Sequence, residues 1–137
     1  MKKLIIVFVA LVTAIGLAGC GGDNGPPPDH IDLTAMSEIE GHAILVDMFL
    51  TRSQDYVGVT IKAQGEFDIW EEDETGVILA HFLWVGGEGC CPTFLDFYYP
   101  NVDTLEIGMT ILLEGVFSAP TETVNHFHVH VTSLTIV

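Results

Sequence analysis

Val57, Val59, Ile61 and Ala63 alternate with Gly58, Thr60, Lys62 and Gln64. A two-residue period of this kind is the signature of a strand with one apolar face. The alternation is expected to slip at Gly65, as a bulge or bend, with Phe67-Asp68-Ile69-Trp70 carrying the strand on. Next comes the acidic stretch Glu71-Glu72-Asp73-Glu74-Thr75-Gly76, read as a solvated hairpin loop. It lacks the Asp-x-Asp-x-Asp-Gly spacing of a calcium loop. Residues 77–85 form a nearly unbroken apolar run, ending in Gly86-Gly87-Glu88-Gly89-Cys90-Cys91-Pro92. A short apolar run bounded by glycine reads as a strand buried on both faces.

Three further strands are expected. They are 94–99, stopped by Pro100, then 109–118 with a second bend at Gly115, then 126–137. Ahead of the strands, Met36, Ile39, Ala43, Val46 and Leu50 recur at helical spacing. Ser37 and Glu40 fit a capping box, and Ile44, Leu45, Met48 and Phe49 widen the apolar face. Gly41 costs this helix about 1 kcal/mol relative to Ala. The pattern predicts an α+β protein that is mainly β: a five-stranded OB-like barrel with one N-terminal helix, spanning residues 32–137 as one domain. No internal repeat is visible.

The N-terminal segment changes the picture. Met1-Lys2-Lys3 is a positive start, and Leu4 to Ala18 is an apolar core too short for a comfortable membrane span. The ending Leu17-Ala18-Gly19-Cys20 matches the lipobox of bacterial lipoproteins. That resemblance implies a signal peptide over residues 1–19, cleaved before an acylated Cys20. Two or three acyl chains hold a protein stably to a membrane. Residues 20–31, rich in Gly and Pro, read as the lipidated cysteine and a flexible linker. The expected location is extracytoplasmic, anchored to the membrane of the cell envelope.

Removal of residues 1–19 leaves two basic residues against 19 acidic ones, a balance of −17. Nucleic acid is excluded as a partner, because its affinity comes mostly from Lys and Arg releasing counterions. Cations, neutral ligands and basic partners remain compatible.

Two groups of residues carry candidate chemistry. One is Cys90-Cys91; the other is His126-x-His128-x-His130. On a strand, positions i, i+2 and i+4 point to one side, so three imidazoles form a row while Phe127, Val129 and Val131 face the core. Neighbours in such a row stand roughly 7 Å apart, and three on a flat strand do not close on one ion. A tetrahedral site needs a further ligand, for which Cys90, Cys91 and His81 are the candidates. Thiolate with imidazole suits zinc or cuprous copper. A vicinal disulfide is disfavoured: adjacent Cα atoms lie about 3.8 Å apart, short of the roughly 4.4–6.8 Å that disulfides prefer. Against the metal stands the plainer alternative that the histidines are polar side chains on the wet face and the cysteines small hydrophobes.

Cysteine catalysis is disfavoured, because Glu88 and Asp96 flank the pair where a reactive thiolate needs positive charge. No Cys-x-x-Cys or Gly-x-Ser-x-Gly is present, and the chain is read as not an enzyme, with no catalytic residue assigned. Trp70, Trp84, Phe94, Tyr98 and Tyr99 offer an aromatic surface for a sugar or a peptide, if they do not serve the core.

The order lipobox, linker, helix, Tyr56-Val57-Gly58 step, acidic hairpin and Cys90-Cys91-Pro92-Thr93-Phe94-Leu95-Asp96-Phe97 resembles a group of small bacterial lipoproteins. They carry an OB-like domain and a Cys-Cys-x-x-Gly-Leu-Glu-Phe type motif. Phe94 stands here for their glycine and Asp96 for their glutamate. The resemblance implies fold and location and brings no activity. Two functions are therefore carried forward: capture or sensing of a soft metal ion by Cys and His, or a binding module for a small ligand or protein that uses no metal. Cys20→Ser is expected to shift the protein from the membrane fraction to the soluble one, as checked by fractionation and immunoblotting; unchanged membrane association refutes the tether.

Overall fold

The computed structural model describes residues 25–72, 76–85 and 93–137. Cys20, the leader, the tip of the acidic loop and Cys90-Cys91 lie outside the described residues. The described chain is a mainly-β, six-stranded mixed sheet with one helix. Strand β1 is His30–Asp32, β2 Thr60–Glu71, β3 Ile78–Trp84, β4 Phe94–Tyr98, β5 Thr110–Ser118 and β6 His128–Ile136. Helix α1, Glu38–Val46, continues as a π-helical turn over Asp47–Thr51.

The strands run in the order β1-β2-β3-β4-β6-β5, and β5 also pairs with β2. Hydrogen bonding therefore runs in a ring through β2, β3, β4, β6 and β5. Within the ring, only β4 and β6 run parallel. The ring closes because β2 is long enough to hold two neighbours: Thr60–Glu66 pair with β5 and Glu66–Glu71 with β3. Glu66 pairs with both, so β3 and β5 lie on opposite edges of β2. Strand β1 pairs in parallel with Thr60–Lys62, extending the edge that β3 leaves. The sheet therefore takes in His30 and Ile31, which the sequence assigns to the linker. Gly25 is held too, its carbonyl accepting a hydrogen bond from Arg52 Nη1 at 3.1 Å.

Two glycines make the close approaches. At Gly65 no bulge forms; Ile61, Ala63, Gly65 and Phe67 keep one face, and a side chain at 65 would run into the Trp84 carbonyl. At Gly115 the expected irregularity is present: Glu114 pairs with Ser133 and Gly115 with Val131, leaving Thr132 over. The Thr132 hydroxyl donates to the Glu114 carbonyl at 3.1 Å. Beyond this bulge the inward positions of β6 change parity, from Val129 and Val131 to Leu134.

The core inside the ring gathers Ile61, Ala63, Phe67, Leu83, Leu95, Phe97, Ile111, Leu113, Phe117, Val129 and Val131. Helix α1 covers it with Leu45 and Met48. The capping box is present: Ser37 Oγ accepts from Glu40 N, and Glu40 Oε2 accepts from Ser37 N at 3.0 Å. The phase of the helix differs from expectation. Ile39 and Leu50 are 83% and 80% exposed, and the buried side is Gly41, Leu45 and Met48. Strand β3 also departs from a strand buried on both faces: Phe82 and Leu83 are buried, while Ile78 and Leu79 are exposed. The β2–β3 ribbon there runs past the ends of β5 and β4, so nothing in the ring covers it. No helix among the described residues is long and apolar enough to cross a membrane.

Opposite signs are expected for two glycine substitutions. Gly115→Ala would set a methyl 2.7 Å from Val129 Cγ1 and against the His130 carbonyl, costing about 1–3 kcal/mol. Gly41→Ala meets nothing closer than Leu33 Cδ2 at 4.0 Å and should stabilise by about 0.5–1 kcal/mol. Urea denaturation of the two variants checks both.

Candidate ligand-binding cavity

Helix α1 does not lie flat on the sheet at its C-terminal end. Between the helix and the starts of β4 and β6 is a cavity of about 550 Å³. Leu45, Val46, Phe49 and Leu50 line it from the helix, Thr93, Phe94 and Asp96 from β4 and the residue before it, and Pro120, Asn125, His126 and Phe127 from the approach to β6. Its floor is aromatic. Phe127 stacks on Phe117 with ring centroids 5.8 Å apart, and Phe49 meets Phe117 edge-on at 5.1 Å. Wide turns of a helix are often found at functional sites, and the π-helical turn carries both Phe49 and Leu50 here.

Two pairs of polar groups stand among the lining residues. His42 Nδ1 lies 2.8 Å from Thr93 Oγ1. His126 Nε2 lies 3.8 Å from Asp96 Oδ2. Burial pushes the Asp96 carboxyl above its ordinary range, and the His126 charge offsets this in part. An apolar pocket with a few convergent polar groups is the usual form of a small-molecule site.

The histidine row forms as the strand period requires. His126 and His128 have ring centroids 6.3 Å apart, and Tyr98 packs against both His128 and His130 at 6.2 and 5.3 Å. Phe127 is partly buried, and Val129 and Val131 are fully so. The row is not uniformly wet, however: His128 is 1% exposed. Its Nδ1 lies 3.0 Å from the His126 carbonyl. A carbonyl only accepts, so Nδ1 carries the proton and Nε2 holds the lone pair. Burial depresses the His128 pKa below its ordinary value; the hydrogen bond to the His126 carbonyl opposes this, and the charges of His126 and His130 add to it.

His81 lies elsewhere. It stacks on Phe67 at 6.2 Å and packs against Phe97 at 6.5 Å, both core residues, so it is on the inner face of the ring while the row is on the outer face. Burial lowers its pKa, with Asp103 opposing. The structure thus separates His81 from His126, His128 and His130. Cys90 and Cys91 lie outside the described residues, and among the described residues no three His, Cys, Asp or Glu side chains gather as a metal site. Sequence reasoning missed His42, Thr93 and the apolar lining. The available signal was His42 itself, the single polar residue in Gly41-His42-Ala43-Ile44-Leu45-Val46.

No family model matches this chain, and comparison with characterised proteins finds no match.

Stability should fall on acidification below about pH 6.5, the unfolded value for histidine. There the unfolded chain takes up protons that His81 and His128 resist while folded, so unfolding is favoured as pH drops towards their depressed values. Asp96 acts oppositely, favouring the folded state as pH falls from its raised value towards 3.8. Urea midpoints at pH 7.5 and 5.5 should differ less for His128→Gln than for wild type.

Proposed function

We propose that this is a lipid-anchored binding domain of the cell envelope, built on an OB-like barrel and without a catalytic step. Its site is the cavity under α1, and its ligand is a small, mainly apolar molecule with one polar end. The observation that carries this reading is the joint one of volume and polarity: about 550 Å³ of largely apolar wall, with the pairs His42–Thr93 and His126–Asp96 among its lining. That volume falls within the roughly 300–1,000 Å³ typical of small-molecule sites. The half-buried Asp96 favours a hydrogen-bond donor or an amine at the polar end. The export signal and lipobox support the location, as does the resemblance to small bacterial lipoproteins.

A second reading, capture of zinc or cuprous copper by Cys90 and Cys91 with His126, has one observation in its favour. Thr93, two residues after Cys91, lines the same wall as His126 and Asp96.

The uncharged fluorophore N-phenyl-1-naphthylamine tests the first reading. Saturable binding is expected, weakened about tenfold or more by Val46→Trp, which fills the cavity, and unchanged by Ile39→Trp on the exposed side of the helix. No saturable binding, or equal affinity in Val46→Trp, overturns it. Elemental analysis of protein purified without chelators tests the second. Stoichiometric zinc or copper lost in Cys90→Ser/Cys91→Ser supports it, and metal-free wild type ends it.

A further inference from the structure

The outer face of β2, β3 and β4 is laid out as a chequerboard of rings and carboxylates. Register sets Glu66, Trp84 and Phe94 in one row and Asp68, Phe82 and Asp96 in the next. Phe82 is buried under its neighbours, meeting Trp84 at 5.2 Å and Phe94 at 5.7 Å, both edge-on. The indole of Trp84 is fixed by donation from Nε1 to Asp68 Oδ2 at 3.1 Å, while Asp68 Oδ1 accepts from Ile69 N at 2.8 Å. Over this platform lies a second cleft of about 580 Å³, open to solvent and distinct in its lining from the cavity under α1 except for the shared Phe94. Trp70, Phe94 and Ile107 stand at its walls 57%, 45% and 61% exposed, and Asp68 and Glu71 rim it.

We propose that this cleft binds the guanidinium group of an arginine-bearing peptide segment from a partner protein. A flat cation stacks on an exposed indole face, and nearby carboxylates neutralise it. The chain supplies no such cation of its own: Arg52 is paired with Asp47 and Lys62 with Asp32, and these are the basic residues that follow the leader. With 19 acidic residues against those two, the field around the protein draws cationic partners and repels anionic ones. A neutral sugar fits less well, because it leaves the charges of Asp68 and Glu71 at the rim without a counter-charge.

The test is titration of the full-length protein in detergent with an end-blocked Gly-Arg-Gly-Arg-Gly peptide, read by tryptophan fluorescence and calorimetry. Binding should saturate and weaken as salt is raised. Trp70→Ala should weaken it by about three- to thirtyfold, and Glu71→Gln should weaken it in the same direction. Both side chains are exposed, so the fold is not at risk. Val46→Trp should leave it unchanged, which separates this site from the cavity. Equal affinity for the citrulline-substituted peptide overturns the proposal, since citrulline keeps the shape and loses the charge. Full affinity in Trp70→Ala also overturns it, reducing the interaction to diffuse attraction, as does preferential binding of a neutral oligosaccharide.

Discussion

The ring of strands depends on β2 serving two neighbours at once, and that depends on what is missing at Gly65. Strand β2 leaves β5 and takes up β3 within one residue of this position. Any side chain at 65 would occupy the space of the Trp84 carbonyl. With backbone against backbone, β3 can cross β2 closely enough to turn towards β4. The side chains beyond the crossing then sort themselves by parity. Odd positions of β2, β3, β4 and β5 fill the core, and even positions make the outer face. Both proposed sites are consequences of that sorting. Phe82, Trp84, Phe94 and Asp96 are all even, and all are outside.

Helix α1 resolves the remaining exposed end of the core, but only partly. Gly41 brings its first turns close, with Leu33 packed beside it, and Leu45 and Met48 reach inward. The Asp47–Arg52–Tyr56 cluster then fixes the end of the helix. The Tyr56 hydroxyl donates to Asp47 Oδ2 at 2.6 Å, and the Arg52 guanidinium lies 5.7 Å from the Tyr56 ring. Hydrogen bonds from Arg52 and Tyr56 hold the Asp47 carboxyl below its usual range. A helix pinned near both ends and widened in between leaves space under Phe49 and Leu50. The cavity is therefore a product of how the helix is anchored.

Local chemistry was legible in the sequence wherever a residue acts alone or with near neighbours. The Ser37–Glu40 box, the bulge at Gly115 and the alternation of Phe127, Val129 and Val131 with histidine all followed from spacing. What failed needed knowledge of distant partners. Helix α1 is apolar on two sides, and the stripe Ile39, Val46, Leu50 is as regular as the one actually buried. Only the absence of a side chain at Gly41 distinguishes them, and it can be read that way once Leu33 is known to lie opposite. Residues 77–79 look like the start of a buried strand because their apolar character is continuous. Their exposure follows from β5 and β4 ending early, a fact about other strands. His81 has the same origin: its odd number puts it with Leu83 on the inner face, away from the even-numbered row on β6.

The charge distribution ties these features together. A strongly acidic protein pays for its solubility with self-repulsion, which grows where carboxylates are crowded on one sheet face. On β1, β2 and β4 that crowding is eased in three different ways. Asp68 accepts two hydrogen bonds, Asp32 is paired with Lys62, and Asp96 stands beside His126 with its carboxyl pushed towards the neutral form by burial. The remaining carboxylate at the aromatic cleft, Glu71, has no such cation beside it among the described residues, because Arg52 and Lys62 are committed elsewhere. Bringing a cation from outside relieves that repulsion as well as making new contacts. Selection between the two sites then becomes a matter of charge: the cavity under α1 suits a mainly apolar molecule, and the cleft over β2 and β3 suits a charged one, with Phe94 as the common wall.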